Sequence, residues 1–316
     1  MKIIIEKTLY SATVEDTLRH LLDTASQIIL GKRRQIELAV CCLLARGHLL
    51  IEDIPGVGKT TLSHTLAKLL GLSYQRVQFT SDLLPADILG AMIFDSQTNS
   101  FTFHPGPIFN QVVLADEINR ASPKTQSALL EAMEEYQVSI EGHTHPLPQP
   151  FFVIATQNPV HQTGTFPLPE SQLDRFLMRI SLGYPDRQAE RALLKGESRH
   201  QLLQNQPACM TPDQLIAMQR QVQTIYVSAP LLDYVQDLLE YSRQSPEYPL
   251  GLSPRAGLSL LQAAKAWAYM QGRNSVYPED VQAILAPVAA HRLQSATGIV
   301  DLDNCIQPLL NHVPIP

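Results

Sequence analysis

The segment that most constrains this chain is HLLIEDIPGVGKTTLSHTLAKLLG, which spans residues 48–71. It starts as a short apolar run typical of a buried strand, continues through a loop rich in glycine and proline, and ends in an amphipathic helical pattern. A strand, a glycine loop and a helix in this order bind phosphate, because the N–H groups of the loop and the positive end of the helix face the anion. The segment therefore predicts a nucleotide-binding α/β domain.

The loop supplies the candidate phosphate ligands. Backbone N–H groups from Gly56 to Lys59 are expected to wrap the phosphates, the Lys59 ammonium to contact the β- and γ-phosphates, and the Thr60 hydroxyl to bind Mg²⁺. Asp53 stands where such loops usually have a glycine, and a glycine-proline turn without function is the alternative interpretation. The candidate nucleotide-binding residues are Asp53, Ile54, Pro55, Gly56, Val57, Gly58, Lys59, Thr60 and Thr61.

Two further strand ends carry side chains that suit phosphoryl transfer. VVLADEIN places Asp116 and Glu117 after an apolar strand, at the edge where ligands bind in α/β sheets. Asp116 is expected to hold Mg²⁺ through water, and Glu117 to polarise the water that attacks the γ-phosphate. FFVIATQNP ends in Asn158, whose amide can orient a water without competing for the metal. In the alternative interpretation, Asp116 and Glu117 only mark a solvated strand end, and Asn158 only forms a turn.

Alternating strands and helices extend the α/β pattern to about residue 185. The strand patterns are YQRVQF, VVLAD, PFFVIAT and FLMRISL, of which the second and third are nearly continuous apolar runs typical of central parallel strands. Residues 88–104 and 138–147 interrupt the alternation, and their period-two patterns predict hairpins. The pattern is helical from residue 186 onward. We therefore predict domains at 1–185 and 186–316, with the boundary near Tyr184–Pro185.

A helical lead-in precedes the phosphate loop. Its two predicted helices close at Gly31 and Gly47, since glycine commonly ends a helix. The four cysteines form no disulfide or zinc pattern, and the adjacent Cys41 and Cys42 are expected to behave as small buried hydrophobes.

Composition limits the class of protein. The 316 residues are 45% apolar, which excludes a disordered chain, and their formal net charge of −6 argues against binding to a nucleic-acid backbone. Apolar runs stop far short of the roughly 20 residues that a membrane span needs, and the N-terminus lacks the pattern of a signal peptide. These observations predict a soluble, cytoplasmic protein of two domains.

Several motifs, in a specific order, resemble the MoxR family of AAA+ ATPases. The resemblance runs from about Ile29 to the end of the chain and includes the HRL segment at 291–293. Members of this family often carry Glu-Asp before the Pro-Gly pair, which accounts for Asp53. The motifs are GHLLIEDIPGVGKTTL, FHPGPIFNQVVLADEINRASPKTQSALLEAMEE, PFFVIATQNPVHQTGTFPLPESQLDRF and LSPRAG.

The resemblance implies a role for each candidate residue. It implies an arginine finger at Arg175, which faces the neighbouring subunit's nucleotide, and a sensor 2 arginine at Arg255. Considered alone, both arginines suit ordinary surface salt bridges, for example between Arg175 and Asp174. The other implied assignments are Walker A at Lys59 and Thr60, Walker B at Asp116 and Glu117, sensor 1 at Asn158, and an adenine-contacting segment at 29–32.

The resemblance also implies the architecture. An AAA+ core has a parallel sheet of order 5-1-4-3-2 and is followed by an all-α lid. Residues 88–104 correspond to the insert in helix 2, and residues 138–147 to the hairpin before sensor 1. In AAA+ proteins these elements commonly face the ring pore or the client.

The function implied is a Mg²⁺-dependent ATPase that binds ATP, forms a hexameric ring, and assembles or activates partner proteins. Family members often act with von Willebrand factor A-domain proteins. The motor subunit of a metal-chelatase-like complex is the alternative, since it shares the same core. A DNA-handling motor or kinase, and a scaffold that binds nucleotide without hydrolysis, are other classes. The net charge argues against a DNA-handling motor, and the long helical lid argues against a kinase. The intact Lys59, Glu117 and Asn158 argue against a scaffold that does not hydrolyse nucleotide.

Overall fold

A parallel sheet of five strands forms the centre of the N-terminal half of the chain. The computed structural model describes residues 2–97, 99–158, 165–196, 199–293 and 302–316. The helices are α1 (Lys2–Ile28), α2 (Arg33–Leu44), α3 (Lys59–Leu69), α4 (Pro85–Leu89), α5 (Pro123–Glu135), α6 (Glu170–Leu173), α7 (Arg187–Leu194), α8 (Arg199–Gln204), α9 (Pro212–Gln223), α10 (Ala229–Gln244), α11 (Pro254–Met270), α12 (Pro278–Ala289) and α13 (Leu302–His312). The strands are β1 (Leu49–Glu52), β2 (Tyr74–Gln78), β3 (Gly90–Asp95), β4 (Ser100–Pro105), β5 (Val112–Asp116), β6 (Gln137–Ile140), β7 (His143–Pro146), β8 (Phe152–Gln157) and β9 (Met178–Ile180).

The order of the central sheet is β2-β5-β8-β1-β9, and every neighbouring pair of strands is parallel. Counted among themselves, these strands are the second, third, fourth, first and fifth, so the order 5-1-4-3-2 is confirmed. β5 and β8 lie inside the sheet and are buried along their whole length, as their apolar sequences predict. Because all the strands are parallel, their carboxyl ends meet at one edge.

Side chains of the sheet alternate between two hydrophobic clusters. Leu49 and Ile51 belong to the cluster that also contains α1, α2 and α3, whereas Leu50 and Val153 pack with α5 on the opposite face. The first cluster continues into the C-terminal helices, where it includes the buried Trp267. The α/β sheet and the helical region therefore share a hydrophobic core.

The N-terminal helices connect the sheet to the C-terminal helical region. α2 packs against α9 and α11. The Cys41 thiol donates to the Ala263 carbonyl at 3.4 Å, and the Gln219 amide donates to the Leu43 carbonyl at 2.8 Å. The boundary near Tyr184–Pro185 falls in the segment between β9 and α7 and remains a prediction.

Both predicted hairpins are present beside the sheet. β3 pairs with β4, and β6 pairs with β7, each in antiparallel register. The second hairpin turns at Glu141 and Gly142, which both have positive φ, as a two-residue hairpin loop requires. Phe103 of the first hairpin stacks on His145 of the second, with ring centroids 4.0 Å apart. The two inserts therefore contact each other.

The end of α2 differs from expectation. Arg46, with a φ of 56°, is the left-handed residue that closes α2, and not Gly47. Gly47 is required for another reason, because a Cβ there would lie 2.3 Å from the Leu177 side chain. Cys41 and Cys42 are buried as predicted, whereas Cys209 and Cys305 are only partly buried.

In the described ranges, no helix combines the length and apolar character that a membrane crossing needs.

His48 joins β1 to β8 and α5 through both ring nitrogens. Nδ1 accepts from the Val153 N–H at 3.0 Å, and Nε2 lies 3.2 Å from the Met133 carbonyl oxygen. Because Nδ1 accepts, Nε2 carries the proton and donates to that carbonyl, so the ring is neutral. Burial lowers the pKa of His48 from 6.5 to about 4.

We expect the free energy of unfolding to decrease as the pH falls from 6.5 towards 4. In this window the unfolded His48 takes up a proton while the folded ring stays neutral, which costs up to about 1.4 kcal/mol per pH unit. His291 is also buried with a lowered pKa and acts in the same direction. Urea unfolding of the wild type and of His48→Gln at pH 7, 6 and 5 checks this. The stability advantage of the wild type should shrink with each step, and a pH-independent difference would contradict it.

Candidate functional site

The predicted phosphate loop connects β1 to α3 at the carboxyl edge of the sheet. Gly56 and Gly58 have φ values of 85° and 100°, conformations that favour glycine because it has no Cβ. α3 begins at Lys59. Gly58 immediately precedes α3, so the N-terminal end of this helix faces the loop. Pro55 and Gly56 are exposed, and the remaining candidates are half-buried or buried.

Lys59 is the buried cation of the loop. Its ammonium donates to the Asp53 carbonyl at 2.6 Å and to Asn158 Oδ1 at 3.1 Å. Burial lowers the pKa of Lys59, while the carboxylates of Asp53, Asp116 and Glu117 act in the opposite direction. The ammonium is therefore held by neutral oxygen atoms and surrounded by negative charge.

Asp116 and Glu117 follow β5 and lie on the same network. Thr156 of β8 links them, because its hydroxyl donates to Asp116 Oδ1 at 2.5 Å and accepts from the Glu117 N–H at 2.9 Å. Glu117 has a φ of 57°, a left-handed conformation that is rare for a residue other than glycine. Such conformations often occur where a side chain must be directed into a site.

Asn158 connects the cation of the loop to the carboxylate of Glu117. Its Oδ1 accepts from Lys59, and its Nδ2 donates to Glu117 Oε1 at 3.1 Å. The amide is buried at the end of β8, which lies between β5 and β1, the strands that lead to Glu117 and to the phosphate loop. The structure thus brings Lys59, Glu117 and Asn158 into direct contact. Residues 159–164, which carry part of the family resemblance, lie outside the described residues.

Two residues of β2 complete this network and were missed by sequence reasoning. Arg76 donates to Asp116 Oδ2 through Nε at 3.1 Å and through Nη2 at 2.7 Å. Gln78 donates to Glu117 Oε2 at 3.0 Å, and Arg120 contacts the same oxygen at 2.9 Å. The alternating polar residues of YQRVQF were the available signal, but their neighbours depend on the pairing of β2 with β5.

The Asp53 carboxylate contacts a different loop. Its Oδ2 accepts from the Ser181 hydroxyl at 2.9 Å and from the backbone N–H groups of Leu182 and Gly183 at 2.6 Å each. Its Oδ1 accepts from the Ile54 N–H at 2.8 Å. The side chain at this position therefore fixes the start of the phosphate loop to the segment that follows β9.

The segment implied to contact adenine, residues 29–32, packs near the same place. The Lys32 ammonium donates to the Tyr184 carbonyl at 2.7 Å. A Cβ at Gly31, whose φ is 69°, would lie 3.1 Å from both Ala189 and Asp186. Segment 29–32 and the segment after β9 thus meet beside the start of the phosphate loop.

Arg175 and Arg255 lie together in a second group. Both contact Glu134 of α5, Arg175 at 3.2 Å and Arg255 at 2.5 Å. Among the described residues, the salt bridges of both arginines are with Glu134. Asp174, the partner that the sequence suggests for Arg175, instead pairs with Arg292 at 2.6 Å. The candidate residues therefore form two groups, one around Asn158 and one around Glu134.

The chain matches two family models. Residues 48–178 match the model described as "ATPase family associated with various cellular activities (AAA)". Residues 240–304 match the AAA lid domain. The sheet order and the two matches define the class of this protein. It has the fold of AAA+ ATPases, followed by a helical lid.

Full-length relatives define the family within this class. YeaC of Bacillus subtilis, described as uncharacterized, is 43% identical over 311 residues, 97% of each chain. Chaperone MoxR1 of Mycobacterium tuberculosis is 39% identical over 288 residues, 88% of this chain and 75% of that protein. A crystal structure of a candidate ATPase from Cytophaga hutchinsonii has a TM-score of 0.87 at 34% identity, covering 100% of this chain and 98% of that one. The chain belongs to the MoxR family of AAA+ ATPases.

Asp53→Ala should lower the free energy of unfolding by about 2–4 kcal/mol, because it leaves several buried donors without their charged acceptor. Nucleotide binding should also weaken, since the start of the phosphate loop loses its anchor. Ser181→Ala is the matched control, because it removes only one of these hydrogen bonds, at a cost of about 1 kcal/mol. Urea unfolding without nucleotide measures both variants. Equal stabilities of the two variants would contradict the anchoring role of Asp53.

Proposed function

We propose that this protein is a Mg²⁺-dependent ATPase that acts as a ring and assembles or activates partner proteins. The observation that carries the proposal is the Asn158 amide, which contacts both the Lys59 ammonium and the Glu117 carboxylate. These are the two charges that phosphoryl transfer to water requires, one for the γ-phosphate and one for the attacking water. The match to the AAA family model supports the same activity.

In this proposal the loop from Asp53 to Thr61 holds the phosphates through its backbone N–H groups. Lys59 exchanges its contact with Asn158 for a γ-phosphate oxygen, which frees the Asn158 amide to orient the attacking water. Glu117 accepts a hydrogen bond from that water and polarises it. The direct contact between Asn158 and Glu117 supports the proposal that both groups act on the same water molecule.

The donor set suits Mg²⁺. The Thr60 hydroxyl and the Asp116 carboxylate are hard oxygen donors, and nucleotide-bound Mg²⁺ usually takes one or two protein oxygens besides phosphate and water. We propose that these two residues hold the ion. Asp116 is fixed by Thr156 and by Arg76, so its carboxylate has a defined orientation. When bound, Mg²⁺ neutralises charge on the transferring phosphate.

We propose that Arg175 and Arg255 serve the nucleotide of a neighbouring subunit. Their shared contact with Glu134 separates them from the network around Asn158. A permanently charged guanidinium supplied from outside stabilises the charge that develops on the transferred phosphoryl group. Such a shared site requires at least two subunits in contact, and we propose that they form a hexameric ring.

The first hairpin is the surface that we propose for the protein client. Ile93, Phe94 and Phe101 are 50%, 51% and 63% exposed, although they are large apolar residues. Phe94 and Phe101 face each other across the hairpin and pack edge to face. The name of the relative chaperone MoxR1 supports a client that is a protein. We propose a cytoplasmic client of the von Willebrand factor A-domain class.

Lys59→Ala and Glu117→Gln separate binding from hydrolysis. Lys59→Ala should weaken ATP binding itself, because it removes the buried cation of the loop. Glu117→Gln should bind ATP but hydrolyse it about 10²–10⁴-fold more slowly, since a carboxamide does not polarise water as a carboxylate does. Nucleotide titration and phosphate release, each with and without Mg²⁺, provide the measurements. Hydrolysis at the wild-type rate by Glu117→Gln would exclude the proposed mechanism.

A mixture of two inactive variants tests the shared site. Arg175→Ala should bind ATP yet hydrolyse it at least about 10³-fold more slowly, because the developing charge lacks its arginine. Lys59→Ala is inactive in its own site but still offers Arg175. In mixed rings the Arg175→Ala site can therefore be completed by a Lys59→Ala neighbour, and ATPase activity should partly return. If mass measurement verifies mixed rings and the mixture still shows no ATPase activity, Arg175 is not supplied by the neighbouring subunit.

A further inference from the structure

Glu134 links two arginines that come from separate parts of the chain. It is the penultimate residue of α5, on the sheet domain. Arg175 lies between α6 and β9, and Arg255 is the second residue of α11 in the helical region. Glu134 Oε2 contacts Arg175 Nη2 at 3.2 Å, and Glu134 Oε1 contacts Arg255 Nη2 at 2.5 Å. One carboxylate thus binds both arginines, with one oxygen for each.

The geometry leaves both guanidinium groups able to bind a second anion. The salt bridges use one terminal nitrogen of each arginine, out of five N–H donors per guanidinium. The side chains of Arg175, Arg255 and Glu134 are 29%, 46% and 35% exposed, so this group borders solvent. Glu134 can therefore hold the two arginines while their other donors contact a phosphate.

The surroundings of this group are rich in positive charge. Glu134 borders a cavity of about 330 Å³. Burial lowers the pKa of the nearby Arg292, and the charge of Arg255 acts in the same direction. Two like charges repel each other at short range, so Arg175 and Arg255 would separate without a shared anion. The charged residues that line the cavity are Arg46, Glu134, Asp174, Arg175, Arg255 and Arg292.

We propose that Glu134 is a positioning residue that holds Arg175 and Arg255 as a pair for the nucleotide of the neighbouring subunit. This inference rests on the proposed function, which assigns the two arginines to that nucleotide. Glu134 fixes the distance between the guanidinium groups and couples the sheet domain to the helical region. Among the described residues its salt bridges are with Arg175 and Arg255, so we assign it a role that acts through these arginines.

The opposite role is an outcome of the same test. Glu134 could instead occupy the arginines in place of a phosphate and so restrain hydrolysis. A positioning residue and a restraint differ in the sign of the effect that its removal has on activity. Glu134→Gln is the informative variant, because it keeps the size of the side chain and removes the charge.

Mixed rings isolate the effect on the neighbouring site. Lys59→Ala subunits donate arginines and have no active site of their own, whereas Arg175→Ala subunits accept them. Glu134→Gln is introduced into the donor in one experiment and into the acceptor in another. Recovery of ATPase activity should fall about tenfold or more in the donor experiment, because a displacement of about 1 Å in a catalytic group can cost about 10²-fold. Recovery in the acceptor experiment should equal that of the unmodified pair.

The controls distinguish this role from a structural one. Glu135→Gln, in the next and exposed position of α5, should leave recovery unchanged in both experiments. Glu134→Asp in the donor should give intermediate recovery, since the charge remains on a shorter side chain. Thermal unfolding of the donor with and without Glu134→Gln tests its fold.

Three other results of the mixed-ring experiments would contradict the proposal. Full or increased recovery with the Glu134→Gln donor excludes positioning, and an increase identifies a restraint. An equal loss in the donor and acceptor experiments, with a lower melting temperature, indicates a structural role and also excludes the proposal. If the unmodified pair forms mixed rings but recovers no activity, the shared site of the proposed function fails, and the role of Glu134 fails with it.

Discussion

The buried Lys59 ammonium is the constraint on which the rest of the site depends. A buried cation is costly unless oxygen atoms surround it, and Lys59 obtains them from its own loop and from Asn158 at the end of β8. That contact is possible only because β8 lies directly beside β1, and β5 lies on the other side of β8. The sheet order brings together Lys59, at the start of the helix that follows β1, and Asn158 and Glu117, at the ends of β8 and β5. Each of these charges has an acceptor or a donor within the chain, so the network is organised before a nucleotide binds.

The two groups of candidate residues explain why one subunit alone would be an incomplete catalyst under the proposed function. The network around Asn158 contains Lys59 of the loop after β1, together with Glu117 and Asp116 at the end of β5. The group around Glu134 contains the two arginines, and it lies where the sheet domain and the first turn of α11 meet. Because one carboxylate joins both arginines, a movement of the helical region relative to the sheet would move Arg255 relative to Arg175. The position of the lid and the state of the neighbouring site would thereby be linked.

Features encoded by short segments could be predicted from the sequence. The glycine-rich loop, the apolar strands β5 and β8, and the two hairpins all depend on residues close in the chain. Contacts that depend on strand register or helix packing could not be predicted. Arg76 and Gln78 meet Asp116 and Glu117 only through the pairing of β2 with β5, and Glu134 meets Arg255 across 121 positions of sequence. Their local sequences are typical of an exposed edge strand and of a solvated helix end.

Asp53 shows how a departure from a common motif can have a structural reason. Glycine at this position is compatible with the phosphate loop itself. It would, however, leave the hydroxyl and N–H groups of residues 181–183 without their acceptor. Those residues lead directly to Tyr184, whose carbonyl binds Lys32, and then to α7. The carboxylate therefore joins the start of the phosphate loop to the segment that connects the sheet with the helical region. Since this link consists of charged hydrogen bonds at 2.6–2.9 Å, a displacement of the connecting segment must either carry the phosphate loop with it or break them.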